Sequence, residues 1–123
     1  MMKKAFKGYF QVMDFSLTHK MLLIRKTDIV DEEPYNTDIS FAGVFYIEIT
    51  TVYDDLHISF GNEEDVKDIS SRCDEDYIGD ISTTNIFILE SNGKRYRVGA
   101  AQMDIQNNTL YPPETSLGPK RKS

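Results

Sequence analysis

Asp55 and His57 are the two residues whose types and spacing come closest to catalytic chemistry. They stand two apart in a segment where Leu56 and Ile58 alternate with polar residues, a spacing that puts both on one side of a β-strand. A carboxylate beside an imidazole can orient a general base. The sequence places no nucleophile or second acid beside them, so we expect an exposed strand pair and not a catalytic site.

An acidic segment in the second half of the chain resembles part of a calcium loop. Asp74 and Asp76 match the first and third ligand positions, and Gly79 matches the glycine at the sixth. The fifth position is Ile78, which has no side-chain oxygen, and the twelfth is Asn85 where a bidentate glutamate is needed. The segment is therefore predicted to be a solvated acidic loop without a metal.

Other ligand and nucleophile candidates are sparse. His19, His57 and Cys73 cannot supply a four-ligand zinc site, and their spacing matches no metal motif. Cys73 precedes Asp74 and Glu75, whose charges raise a thiol pKa and disfavour a reactive thiolate. The sequence also contains no phosphate loop, nucleophile elbow or dinucleotide fingerprint. We therefore predict no cofactor, no metal and no catalytic residue.

A basic and aromatic set could stack and neutralise single-stranded nucleic acid if the first strand lay beside the late hairpin. The set comprises Lys7, Tyr9, Arg95, Tyr96 and Arg97. Tyr96 is nevertheless predicted to share a face with apolar residues, which favours a core position. The acidic net charge also opposes nonspecific binding to duplex DNA. These features argue against nucleic acid as the partner.

Charge is distributed unevenly along the chain. The net charge is −6 at pH 7, with +5 in residues 1–26, −15 in residues 27–90 and +4 in residues 91–123. The plain interpretation is a solvated acidic middle, and the alternative is an acidic surface that meets a basic partner. We assign such a surface to residues in predicted loops, strand ends or the helix start: Asp54, Asp55, Glu63, Glu64, Asp74, Glu75 and Asp76.

A β-hairpin centred on Asn92-Gly93 is the strongest structural signal. A two-residue type I′ turn needs positive φ at both central residues, which Asn-Gly supplies readily. The resulting register places Glu90 opposite Arg95 on one face. The other face then carries apolar and aromatic residues, namely Phe87, Leu89, Tyr96 and Val98.

Alternation and turn residues predict the remaining elements. Strands are expected near residues 5–13 with a bulge at Gly8, and near 19–26, 38–51 and 56–60, with a break at Ala42-Gly43. Residues 28–34 are acidic and end in a proline, so we predict a loop there. Asn62 is a predicted N-cap, and Val66, Ile69 and Cys73 form a narrow apolar stripe, which indicates a helix.

These elements indicate a mainly β protein, an antiparallel meander or small barrel-like sheet with one short helix at about 62–73. We expect a single domain over residues 1–104 and a partly ordered or flexible tail over 105–123. Sequential strands are expected to pair. The predicted core comprises Ile24, Phe41, Phe45, Ile47, Ile49, Leu56, Ile58, Phe87, Leu89 and Val98.

The single cysteine excludes an intrachain disulfide and fits a reducing compartment. No apolar segment follows the basic start, and the longest aliphatic run falls far short of the roughly 20 residues that a membrane span needs. We therefore expect a cytoplasmic protein that does not enter membranes.

Three segments resemble a group of small bacterial β-rich proteins to which no activity is assigned. They are residues 19–25, residues 36–44 and the pair Tyr46-Ile47. The group shares a basic-ended Leu-Leu-Ile-Arg-like strand, an Asn-x-Asp-Ile-x-Phe element and a late hairpin. The resemblance covers about half of the chain, mostly core positions, and implies an intact stand-alone domain without indicating an activity.

The sequence thus leads to a non-enzymatic binding or regulatory module that uses an acidic surface against a basic protein, as an inhibitor or immunity-type protein would. One alternative is a small enzyme whose cleft gathers Asp38, Glu48, Asp55 and His57. Another is a structural homo-oligomer that pairs through exposed β edges.

Overall fold

The computed structural model describes residues 3–73 and 80–109. Within these ranges the chain forms eight strands, one α-helix and a 3-10 turn at Thr83–Asn85. The strands are β1 (Lys3–Ser16), β2 (Met21–Val30), β3 (Glu33–Ala42), β4 (Tyr46–Glu48), β5 (Val52–Phe60), β6 (Ile86–Ser91), β7 (Lys94–Gly99) and β8 (Gln102–Asn108), and the helix is α1 (Glu63–Arg72). The predicted mainly β class with one short helix is confirmed.

All the strands belong to one open antiparallel sheet in the order β4-β7-β6-β5-β1-β2-β3-β8. Two three-stranded meanders, β1-β2-β3 and β5-β6-β7, are joined where β1 pairs with β5. Sequential pairing was therefore the correct rule within each meander. It misses the pairs β1–β5, β4–β7 and β3–β8, which join strands far apart in sequence.

The β6–β7 hairpin has the predicted register, with Phe87 opposite Val98 and Glu90 opposite Arg95. Asn92 and Gly93 have φ values of 52° and 74°, as a type I′ turn requires. Since nothing lies within 4 Å of a Cβ placed at Gly93, the requirement for glycine there comes from the backbone alone.

Residues 28–34 form a second hairpin, so the loop predicted there is wrong. β2 and β3 pair continuously down to Val30 opposite Glu33. Asp31 and Glu32 make the turn with φ values of 52° and 65°. Aspartate tolerates the left-handed region, but glutamate rarely adopts it, and the pair lacks the glycine that usually follows in a type I′ turn.

Gly8 divides the pairing of β1, as predicted. Its φ is +103°, and the register of β1 against β5 shifts between Phe6 and Tyr9, the sign of a bulge. The residues of β1 before Gln11 pair with β5 and not with β2, and pairing with β2 runs from Gln11 to Ser16. The β1 and β2 edges therefore separate near the bulge.

The main core lies on the face of the sheet that gathers Leu22 and Ile24 of β2, Ile39 and Phe41 of β3, and residues of β5 to β7. Seven of the ten predicted core residues are buried, namely Ile24, Phe41, Leu56, Ile58, Phe87, Leu89 and Val98. The other three, Phe45, Ile47 and Ile49, are half-buried. They lie in or beside β4, a three-residue edge strand with one neighbour, which explains their partial exposure.

Helix α1 covers the opposite face of the sheet. Asn62 caps it as predicted, because its Oδ1 accepts from the Asp65 N–H at 2.9 Å and the Asp65 carboxylate accepts from the Asn62 N–H at 2.9 Å. The predicted apolar stripe packs against a second, smaller core. Ile69, Ile86 and Ile88 form its buried centre.

Strand β8 extends four residues beyond the domain boundary predicted at residue 104. Ile105 lies opposite Ile39 and packs against the main core. Residues 110–123, most of the predicted tail, lie outside the described ranges.

Candidate functional site

The acidic residues of α1 that point toward the sheet are matched by two arginines of β7. Arg95 donates to both oxygens of Asp65, at 2.9 and 2.6 Å. The Asp65 side chain is only 5% exposed, so this charge is paired in a poorly solvated place. Glu90 was the predicted cross-strand partner of Arg95, but the Arg95 guanidinium binds Asp65 of the helix.

Arg97 joins the helix to the edge of the sheet. It donates to Glu48 of β4 at 2.9 Å, to Asp68 at 2.6 Å and to Asp65 at 3.4 Å. Tyr46 donates its hydroxyl to the same Glu48 carboxylate at 2.8 Å. One arginine thus links three carboxylates on two elements, and we call the set of Glu48, Asp65, Asp68, Arg95 and Arg97 the helix network.

The pKa shifts of the helix network follow from these bonds. Hydrogen bonds from Arg95 and Arg97 hold the pKa values of Asp65 and Asp68, respectively, below their usual range. Burial alone would raise the pKa of Glu48, but hydrogen bonds from Arg97 and Tyr46 lower it overall. The carboxylates are therefore stabilised in their charged form and serve to hold α1 on the sheet.

The acidic surface predicted from sequence is distributed along the sheet. Asp54 and Asp55 lie near the start of β5, whereas Glu63 and Glu64 follow its end, about 20 Å away at the usual strand rise. All four are exposed. Asp74, Glu75 and Asp76, together with most of the calcium-loop candidate, lie outside the described residues.

Asp55 and His57 do not follow the regular alternation assumed for them. Asp55 has a φ of 55°, and its Oδ1 accepts a hydrogen bond at 2.7 Å from the N–H of Gly8 across the bulge. His57 is exposed and lies between Ala5 on β1 and Glu90 on β6. The Asp55 carboxylate therefore stabilises the bulge.

The other carboxylates of the proposed enzyme cleft also have structural partners and lie apart. Asp38 is on β3 near one edge of the sheet, and Glu48 is on β4 at the other edge. Asp38 accepts from the Arg25 Nε at 2.7 Å and from its Nη2 at 2.9 Å, with both side chains fully buried. The structure does not gather Asp38, Glu48, Asp55 and His57 into one cleft.

The Arg25–Asp38 pair belongs to a buried polar network that sequence reasoning missed. Asn108 of β8 donates to Asp38 at 2.6 Å and accepts from Asn36 at 2.8 Å, and Thr27 donates to Asn36 at 2.7 Å. This chain of bonds ties β8 to β3 and β2. The register could have signalled it, since Arg25 lies directly opposite Asp38.

The basic and aromatic set predicted as a stacking platform is divided among different surroundings. Tyr96 packs edge-on against Tyr53, with ring centroids 5.7 Å apart, at the side of the main core. Arg95 and Arg97 belong to the helix network. Strands β5 and β6 separate β1, which carries Lys7 and Tyr9, from β7.

In the part of the chain that the structure describes, the outer half of the β2–β3 hairpin has no neighbouring strand on either side. β1 pairs with β2 only as far as Arg25, and β8 pairs with β3 only as far as Asn36. Among the described residues, positions 26–30 therefore pair only with β3, and positions 33–35 pair only with β2. We call residues 26–35 the arm.

The arm exposes apolar side chains that a strand normally buries. Ile29 is 71% exposed, Val30 53% and Tyr35 43%. Val30 and Tyr35 share one face of the arm and Ile29 lies on the other, because side chains alternate along each strand. Exposed apolar groups of this size on a two-stranded segment suit contact with another molecule.

The arm is also acidic. It carries Asp28, Asp31, Glu32 and Glu33 against a single lysine, Lys26. The Asp28 side chain is half-exposed and lies 3.4 Å from the Lys26 ammonium group, and Asp31 and Glu32 are exposed in the turn. In contrast to the helix network, these turn carboxylates face solvent.

A crevice of about 380 Å³ opens at the root of the arm, where β1 and β2 separate. Its walls include Lys7, Gly8 and Tyr9 on β1 and Lys26, Thr27 and Asp28 on β2. The Lys26 side chain crosses to the bulge, with its Cε 2.8 Å from the position that a Cβ would take at Gly8. The Lys26 side chain therefore spans the gap between β2 and the bulge.

Among the described residues, no three His, Cys, Asp or Glu side chains lie close enough together to hold a metal ion. Burial raises the pKa of the Cys73 thiol, which is the predicted direction. Within ranges 3–73 and 80–109, no helix is long and apolar enough to cross a membrane.

Comparisons of the chain with protein-family models, with curated proteins and with solved structures find no match.

Proposed function

We propose that this protein is a non-enzymatic binding module whose acidic surface engages a basic protein partner, and that the arm makes the contact. The observation that carries the proposal is the exposure of Ile29, Val30 and Tyr35 beside acidic residues at the end of the β2–β3 hairpin. Apolar contact would supply affinity, and the carboxylates would supply steering and selection for positive charge. An inhibitor or immunity-type role fits such a surface.

The charge pattern also favours the arm over the sequence-assigned acids of β5 and α1. Asp54 and Asp55 are separated from Glu63 and Glu64 by the length of β5, and Asp55 is engaged by the bulge. In the arm, four acidic residues fall within six consecutive positions, 28–33. A concentrated charge keeps a stronger field within the Debye length of about 8 Å at physiological ionic strength.

Two triple variants with the same charge change test the proposal. The arm triple is Asp28→Asn, Asp31→Asn and Glu32→Gln, and its matched control is Asp54→Asn, Glu63→Gln and Glu64→Gln. Each is used to capture proteins from the native host at low and high salt, beside the wild type. We expect a basic protein that the wild type and the control retain at low salt, that high salt releases, and that the arm triple loses.

An apolar pair of variants checks the other half of the contact. Ile29→Ser removes an exposed arm residue, and Leu17→Ser removes a residue of similar exposure, 77%, in the turn between β1 and β2. The arm variant should lose the captured protein and the turn variant should keep it. Equal recovery of the same proteins by all five forms at each salt concentration would refute binding through the arm.

A further inference from the structure

The edge of β2 that faces away from β3 has no neighbouring strand beyond Arg25 among the described residues. The turn hydrogen bond of a two-residue hairpin joins the Val30 C=O to the Glu33 N–H. In an antiparallel pair such bonded positions alternate with unbonded ones. The backbone N–H and C=O of Thr27 and Ile29 therefore point outward, away from β3.

The opposite edge of the arm is blocked. Pro34 lies directly opposite Ile29, so it also occupies an unbonded position, and its nitrogen points away from β2. Proline has no N–H to offer a neighbouring strand, which is how natural sheets protect an edge. The β2 edge has no such protection, since neither Thr27 nor Ile29 is proline and both are exposed.

The surroundings of this edge fit an added strand. The crevice beside Thr27 lies where β1 leaves β2, and the Lys26 side chain reaches across it to the bulge at Gly8. The carboxylates of Asp28, Asp31 and Glu32 lie on the side of the turn. A segment placed there would meet Lys7 and Lys26 in the crevice and carboxylates toward the turn.

We infer that the arm recognises its partner by β-strand addition: an extended basic segment of a protein pairs with the backbone of Thr27 and Ile29. Its aliphatic side chains lie against Ile29, and its basic side chains lie toward Asp31 and Glu32. Main-chain bonds then provide affinity and the side chains provide selectivity. This mode rests on the proposed function, which requires only that the arm be the contact.

The probe is a short peptide of alternating lysine and valine, and its binding to the wild-type protein is measured by fluorescence anisotropy. In a second peptide the backbone nitrogens of the lysines are methylated, and in a third those of the valines. Because alternate residues of an extended strand direct their N–H groups to opposite edges, each methylated peptide lacks the donors of one edge. We expect at least one methylated peptide to bind about tenfold or more weakly, since two or more backbone bonds are lost. Equal affinity of all three peptides overturns strand addition.

Thr27→Pro and Thr27→Val test the same contact from the protein side. Both lose the Thr27 hydroxyl bond to Asn36, but only proline removes the outward N–H. Thr27→Pro should bind the lysine–valine peptide about fivefold more weakly than Thr27→Val. Equal binding by the two variants contradicts the inference, and the methylated peptides decide the matter if Thr27→Pro does not fold.

The outcomes separate the mode of binding from the proposed function. If the arm triple weakens peptide binding but N-methylation of the peptide does not, the arm remains the contact and strand addition is refuted. Peptide binding that the arm triple, Ile29→Ser and Thr27→Pro all leave unchanged refutes both. Dimerisation of the wild type that Thr27→Pro abolishes would make a second copy of this chain the occupant of the edge and overturn the basic partner.

Discussion

The helix network and the arm use the same types of charged residue for opposite purposes. In the network, Asp65 and Asp68 meet Arg95 and Arg97 at 2.6 Å, and their pKa values fall because each carboxylate accepts from a guanidinium. In the arm, Asp31 and Glu32 stand in an exposed turn next to Ile29 and Val30. Acidic residues that look equivalent in sequence therefore hold a helix in place at one site and present charge at the other.

The contrast is sharpest for two isoleucines, one buried under α1 and one at the end of the arm. Ile69 is fully buried and Ile29 is 71% exposed. Ile69→Ala should lower the free energy of unfolding by about 2–5 kcal/mol, because it leaves a cavity. Ile29→Ala should change it by less than about 0.5 kcal/mol. Urea unfolding of both variants provides the measurement, and similar losses would show that the arm is packed.

A second pair compares the carboxylates. Asp65→Asn weakens the bonds to Arg95 and Arg97 and should cost about 2 kcal/mol, since it leaves the poorly solvated Arg97 guanidinium with a neutral partner. Asp31→Asn should be neutral or slightly stabilising, because asparagine tolerates the left-handed backbone of that position. Thermal unfolding at neutral pH compares the two, and equal effects would remove the distinction between the regions.

Acid should weaken the helix network. The lowered pKa values of Asp65, Asp68 and Glu48 mean that their contribution is complete above the ordinary carboxyl pKa and is lost as pH falls through the lower folded values. The melting temperature should therefore fall as pH decreases from about 5 to 2. In Asp65→Asn the fall should be smaller. Superimposable pH profiles for the two proteins would contradict this assignment.

The smallest effects are expected in the two hairpin turns, Asn92-Gly93 and Asp31-Glu32, which both have positive φ at their central residues. Gly93→Val should cost about 1 kcal/mol or more, because a β-branched residue resists the φ of +74°. Glu32→Gly relieves a left-handed glutamate but gives the unfolded chain more freedom, so we expect a gain below about 1 kcal/mol. Melting temperatures check both signs, and an unchanged value for Gly93→Val would argue against the turn.

Much of the fold was predictable from local chemistry. Asn92-Gly93 specified a hairpin and its register, and Asn62 with the stripe from Val66 to Cys73 specified the helix, since each signal lies within a few residues. The turn at Asp31-Glu32 was harder to predict, because aspartate tolerates a left-handed backbone but glutamate stands where a type I′ turn usually has glycine.

The candidate site was less predictable, because exposure depends on where neighbouring strands end. Ile29 and Val30 fall in the predicted loop; they lie on a strand instead, and they are exposed there because β1 leaves β2 at Arg25. Likewise, the acids of α1 become structural through arginines that lie about 30 positions later in the chain, as in the Asp65–Arg95 and Asp68–Arg97 pairs. Such distant pairings do not appear in a local charge pattern.

The most direct test of the account is a map of backbone amide chemical shifts during titration of the isotopically labelled protein with the lysine–valine peptide. We expect the largest changes in residues 27–33, with small changes in α1 and around Asp54. Addition of salt should reverse them, because exposed charges are screened. Changes centred on Glu63–Arg72, or no changes in the arm at peptide concentrations that saturate the anisotropy signal, would contradict the claim that the arm is the binding surface.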